Sequence, residues 1–71
     1  MKFDIMVFAD RIKELRLDRG MTMAQVAKGI GVNNATISKW ESGRIYPSVD
    51  SLFLIAYFFQ VPAGYIIGLE N

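Results

Sequence analysis

Between Thr22 and Trp40 the chain sets out amide, hydroxyl and ammonium groups at helical spacing, carried by Asn34, Ser38 and Lys39, with Ala35 and Ser42 on the same outward stripe. Residues three or four apart share a helix face, so these side chains project together. Such a face is built for hydrogen bonding to an ordered partner, and it matches what a helix needs to read base edges in the DNA major groove. It is poorly suited to making or breaking bonds. Ser38 and Lys39 point outward while Glu41 turns inward, so no nucleophile, base and orienting group converge. The chain has no histidine and no cysteine. The commonest general base, thiolate ligands and disulfides are therefore all absent. Seven scattered carboxylates offer no metal cluster. The expectation is a non-enzymatic protein without metal or cofactor.

The elements that must hold this face can be read from caps and apolar periodicity, which is helical throughout and gives an all-α class. Asp4 caps a first helix running to about Arg19, with Phe3 and Phe8 as a hydrophobic staple and Phe8, Ile12 and Leu15 on its buried stripe. Gly20 ends it. Thr22 and Gln25 form a capping box for a second helix that buries Val26, Ala27 and Ile30, and Met21 and Val26 have staple spacing. Gly31 can close that helix in the left-handed conformation. Asn33 caps a third helix with Ile37 and Trp40 inward, and Gly43 stops it. Ser48 caps a fourth, with Asp50 in its first turn where the helix dipole favours negative charge. Leu52 to Phe59 is apolar on all sides and so needs cover on all sides. A short fifth helix over Ala63 to Ile67 is expected. Two helices crossing steeply within four residues need a small residue at the crossing, a glycine in the turn and a core plug. Ala27, Gly31 and Ile37 supply them.

Seventy-one residues make one domain, 1–71, and so short a chain buries only about 60% of its unfolded surface. Net charge is +1, but it is unevenly placed. Seven bases and three acids lie between Arg11 and Arg44, whereas Asp50 and Glu70 are the only charges from Ile45 onward. That asymmetry suits a phosphate-facing side and a separate apolar side. No signal peptide is evident, and the longest apolar run falls far short of the ~20 residues of a spanning helix. A soluble, cytoplasmic protein without membrane contact is expected.

Thr22 to Glu41, followed by Ser42-Gly43-Arg44 and Pro47-Ser48, resembles the lambda-repressor-like family of helix-turn-helix regulators, which includes Cro and many phage and bacterial repressors. The resemblance extends over roughly Phe8 to Gly68. Its most specific parts are Ala27, Gly31 and Ile37, then Trp40-Glu41-x-Gly43, then Pro47-Ser48. It implies a compact five-helix fold and sequence-specific binding of double-stranded DNA, usually by a homodimer on a palindromic operator, with the third helix as reader. Matched position by position, Asn34, Ala35, Ser38 and Lys39 would face bases. Thr22, Asn33, Thr36, Ser42 and Arg44 would contact phosphates, with backbone N–H groups at the start of the second helix. Arg16 and Glu41 fall where relatives carry a partly buried ion pair joining the first and third helices. One departure is Met23, where the family often has a glutamine that bonds phosphate.

A second departure is Leu54 and Tyr57, where relatives are commonly lysine-rich. With the uncharged stretch Ser51 to Leu69, it leads to the expectation of a self-association surface formed by Leu54, Tyr57, Phe58, Tyr65 and Ile66. The leading expectation is thus a DNA-binding transcriptional regulator, a repressor acting as a homodimer. The alternative is a module of antitoxin or antirepressor type that binds another protein through its apolar helices.

Overall fold

The computed structural model describes residues 1–71. Five helices follow one another: α1 (Ile5–Asp18), α2 (Met23–Ile30), α3 (Asn34–Glu41), α4 (Val49–Phe59) and α5 (Ala63–Ile66). Side chains at four positions start them. Asp4, Thr22, Asn33 and Ser48 each accept a hydrogen bond from a backbone N–H in the first turn of the following helix. The Thr22 box is reciprocal, with Gln25 Oε1 accepting from the Thr22 N–H at 2.8 Å. Phe3 and Phe8 close the first staple with ring centroids 6.4 Å apart. Two ends shift by one residue from expectation: Arg19 is the C-cap of α1, and α5 stops at Ile66.

One apolar cluster joins all five helices. It comprises Phe8, Ile12 and Leu15 of α1, Val26, Ala27 and Ile30 of α2, Ile37 and Trp40 of α3, Ile55 and Phe59 of α4, and Ile66 of α5. No polar or charged residue is buried with them, so the core carries no unmet hydrogen bond. Trp40 meets Phe8 edge-on at 6.3 Å. α3 packs on α1 and α2, and α4 packs on α2 and α5. α3 is therefore gripped on one side only.

Candidate nucleic-acid interface

The third helix is amphipathic in the sense its caps require. Ile37 is fully buried and Trp40 nearly so, while Asn34, Ala35, Ser38 and Lys39 are all exposed. The side chains of Asn34, Ser38 and Lys39 enter no hydrogen bond within the chain, so their donors and acceptors are free for a partner, and Ala35 adds an exposed methyl group. Asn33 Oδ1 accepts from the Thr36 N–H at 2.8 Å and from the Thr36 hydroxyl at 3.0 Å. Ser42 donates its hydroxyl to the Lys39 carbonyl at 3.2 Å. The protons of Thr36 and Ser42 are thus engaged internally. The Asn33 amide N–H2, the Thr22 hydroxyl proton and the Arg44 guanidinium remain available.

Gly31 makes the turn. Its φ of 91° lies where a side chain would be strained, and its N–H and that of Val32 both return to the Ala27 carbonyl, at 2.8 and 3.0 Å. Ala27 is 4% exposed, which leaves α3 room to cross α2 closely. At the other end of α2 the N–H groups of Met23 and Ala24 have no partner within the chain, while that of Gln25 is taken by Thr22. Unpaired N–H groups at a helix start attract anionic oxygens. Met23 is half-buried against the core, so its side chain fills space where a glutamine would reach out.

One guanidinium ties these parts together. Arg16 Nε and Nη2 donate to the two carboxylate oxygens of Glu41 at 2.6 and 2.9 Å, and Nη1 donates to the Met21 carbonyl at 3.0 Å. The side chains are 11% and 4% exposed. The hydrogen bond to Glu41, with its negative charge, raises the Arg16 pKa above the ordinary arginine value despite the opposing effect of burial. Arg16 therefore fixes both the last turn of α3 and the residue that precedes the Thr22 cap.

A family model described as helix-turn-helix matches residues 12–66 of this chain. The chain belongs to the lambda-repressor-like (Cro/C1-type) helix-turn-helix family. Members of this family are DNA-binding transcription regulators and not enzymes. Both kinds of regulator occur among the similar proteins. The transcriptional activator BcrR of Enterococcus faecalis is 41% identical over 66 residues, 93% of this chain and 32% of BcrR. The cryptic phage CTXphi transcriptional repressor RstR of Vibrio cholerae is 31% identical over 61 residues, 86% of this chain and 55% of RstR. The chain thus spans about a third of BcrR and just over half of RstR. Among solved structures, the P22 c2 repressor in complex with a synthetic operator superposes with a TM-score of 0.84 at 25% identity, covering 89% of this chain and 96% of that one.

Two of the seven bases counted between Arg11 and Arg44 are turned to other work. Arg19 Nη2 donates to the Phe59 carbonyl at 2.8 Å, with its guanidinium 5.2 Å from the Phe59 ring centroid. Arg11 Nη1 donates to the carbonyls of Tyr65 and Glu70, with the guanidinium 4.4 Å from the Tyr65 ring centroid. Neither α4 nor α5 has a base in its own last turn. Their carbonyl ends carry partial negative charge, and α1 supplies the compensating cations. With Arg16 paired as well, the cations left free in the Arg11–Arg44 stretch are Lys13, Lys28, Lys39 and Arg44.

The expected self-association surface needs correction. Ile66 is 0% exposed and belongs to the core. Phe58 is half-buried against Gly29 of α2, and Tyr65 is half-buried beneath Arg11. Leu54 and Tyr57 are exposed, at 39% and 69%, and so are Val49 and Phe53 of the same helix, at 84% and 67%, which lay outside the expected surface. Full cover of α4 is therefore not found either, since only Ile55 and Phe59 are buried. No helix is long and apolar enough to cross a membrane.

Proposed function

We propose that the chain reads a palindromic double-stranded DNA operator by laying α3 in the major groove, as one half of a homodimer, and represses transcription by occupying that site. The carrying observation is the two-sided α3, with Ile37 and Trp40 sealed inside and four unengaged side chains outside. Asn34 pairs with adenine through its amide, Lys39 donates to guanine, and the Ala35 methyl packs on a thymine methyl. Thr22, Asn33 and Arg44, with the N–H groups of Met23 and Ala24, hold the phosphates on either side. Thr36 and Ser42 join them only by giving up their internal hydrogen bonds. The similarity to RstR and to the operator-bound P22 c2 repressor supports this reading. Action takes place in the cytoplasm.

Selection of bound duplexes from a random library is the decisive test. Two inverted half-sites with centres ~34 Å apart, or a multiple of that, are expected. Enrichment of no sequence would reject the reading. A reporter carrying the selected site across its promoter should fall in expression when the protein is made, and a rise would assign it to the activators.

A further inference from the structure

The segment that follows α3 has little structure of its own. Gly43 ends the helix at a φ of 71°, and the Arg44 N–H donates to the Lys39 carbonyl at 2.9 Å. Beyond that bond, Ile45, Tyr46 and Pro47 neither donate nor accept a backbone hydrogen bond within the chain. The next one is made at Ser48, which opens α4. Ile45 and Tyr46 are 37% and 65% exposed. The Arg44 guanidinium has no acid beside it in sequence, since Glu41 is taken by Arg16 and the next carboxylate along the chain is Asp50.

Two side chains from the start of the chain pin this segment. The Phe3 ring lies 5.5 Å from the Tyr46 ring, tilted by 45°, and 6.4 Å from the ring of Phe8. Met6 rests against Gly43, where a Cβ would stand 2.5 Å from its Sδ. One contact falls just before Arg44 and the other two residues after it. Both Phe3 and Met6 precede residue 12, where the match to the family begins. We infer that Phe3 and Met6 are positioning residues for Arg44, holding its segment in the conformation that meets the DNA backbone before DNA arrives. This rests on the reading of Arg44 as a phosphate ligand given above.

The physical reason is entropic. A segment without hydrogen bonds samples many backbone conformations, and ordering it on binding subtracts from affinity. Packing it in advance removes that loss. Arginine also meets phosphate through a directional fork, so its contact depends on where the backbone sets it. The brace is rigid at its far end, because Phe8 is 0% exposed and meets Trp40 edge-on at 6.3 Å. The rings of Trp40, Phe8, Phe3 and Tyr46 thus refer the Arg44 segment to the same tryptophan that seats α3. Stability alone is a poorer account of the Phe3 and Tyr46 pair, since a ring 65% exposed gains little from burial.

The test is a double-mutant cycle read in DNA affinity, on the selected duplex and on a scrambled one. Tyr46→Ala leaves the Phe3 and Phe8 staple intact. It, Phe3→Ala and Met6→Ala should each weaken binding about two- to tenfold where Arg44 is present, and leave it unchanged where Arg44 is already alanine. Phe3→Tyr keeps the ring and should retain wild-type affinity. In the free protein, backbone amide order parameters at Arg44 and Ile45 should fall in Tyr46→Ala while those at Ile37 and Trp40 hold. Should Phe3→Ala not fold, Tyr46→Ala and Met6→Ala carry the cycle. An equal loss in both Arg44 backgrounds, no loss in either, or order parameters that do not move would overturn the brace. Failure of the phosphate reading looks different: Arg44→Ala alone would bind as wild type with an unchanged salt slope, and the brace would fall with it. The brace can fail by itself only where Arg44→Ala loses affinity and the cycle shows no coupling.

Discussion

Phe58 of α4 lies across Gly29 of α2 so closely that a Cβ on Gly29 would stand 2.2 Å from the ring Cε1. The glycine is what allows the two helices to meet through an aromatic ring. Two effects oppose each other on substitution. Alanine favours the helix by up to about 1 kcal/mol over glycine, but it must drive the ring out of its seat. Gly29→Ala should therefore lower stability in the wild-type background and raise it by about 1 kcal/mol in a Phe58→Ala background. Denaturant melts of the four proteins in a double-mutant cycle check the reversal of sign.

Glu41→Ala leaves the Arg16 guanidinium with the Met21 carbonyl alone, in a nearly closed site. Breaking a buried pair in this way costs about 3 kcal/mol, and affinity for every DNA sequence should fall as α3 loses its anchor. The pH dependence follows from the direction of the shift. Arg16 has its pKa raised on folding, so its contribution is complete below the unfolded arginine value and disappears only as pH rises through the folded one. From neutral to mildly alkaline pH, the stability difference between wild type and Arg16→Met should stay constant in chemical melts.

Lys39→Ala should cost ~1–3 kcal/mol on the selected operator and relax preference at one guanine, whereas Arg44→Ala should weaken all sequences alike and reduce the salt slope by about one. Titrations at several salt concentrations, on the selected duplex and on a scrambled one, separate the two patterns. Wild-type behaviour from both variants would sink the assignment of α3.

Arg19→Gln should do the reverse. It removes the cation beside the carbonyl end of α4, so stability should drop by about 1 kcal/mol while the salt slope of DNA binding is unchanged. Thermal melts and the same titrations provide both readings.

Thr22→Ala should lower stability by about 1 kcal/mol through the lost cap and also weaken DNA binding, since the Thr22 hydroxyl proton is free for a phosphate. Thr22→Ser should restore both, as followed by melts and by binding to the selected duplex.

Much of the fold was legible because caps are local chemistry. Asp4, Thr22, Asn33 and Ser48 each find their acceptor or donor within three residues, so spacing alone locates the helix starts. The inward pair Ile37 and Trp40 was legible for the same reason, as was the outward set beginning at Asn34. Other features depend on distance along the chain. Arg11 and Arg19 reach carbonyls 54 and 40 residues away, and residue type does not reveal an acceptor that only the folded chain supplies. A better signal was available in the missing bases at the ends of α4 and α5, which must be compensated from another helix. The exposed side of α4 was hidden because periodicity is silent when every residue is apolar. The structure separates Ile66, in the core, from Val49 and Phe53, in solvent.

The grip on α3 from one side only divides this small protein into a frame and an address. Asn34, Ala35, Ser38 and Lys39 hold nothing up, so each can be exchanged for another polar or small residue without disturbing Ile37, Trp40 or the Arg16 brace. If α3 reads the operator as proposed, a few surface changes suffice to move such a chain to a new one, while the scaffold that delivers them stays intact.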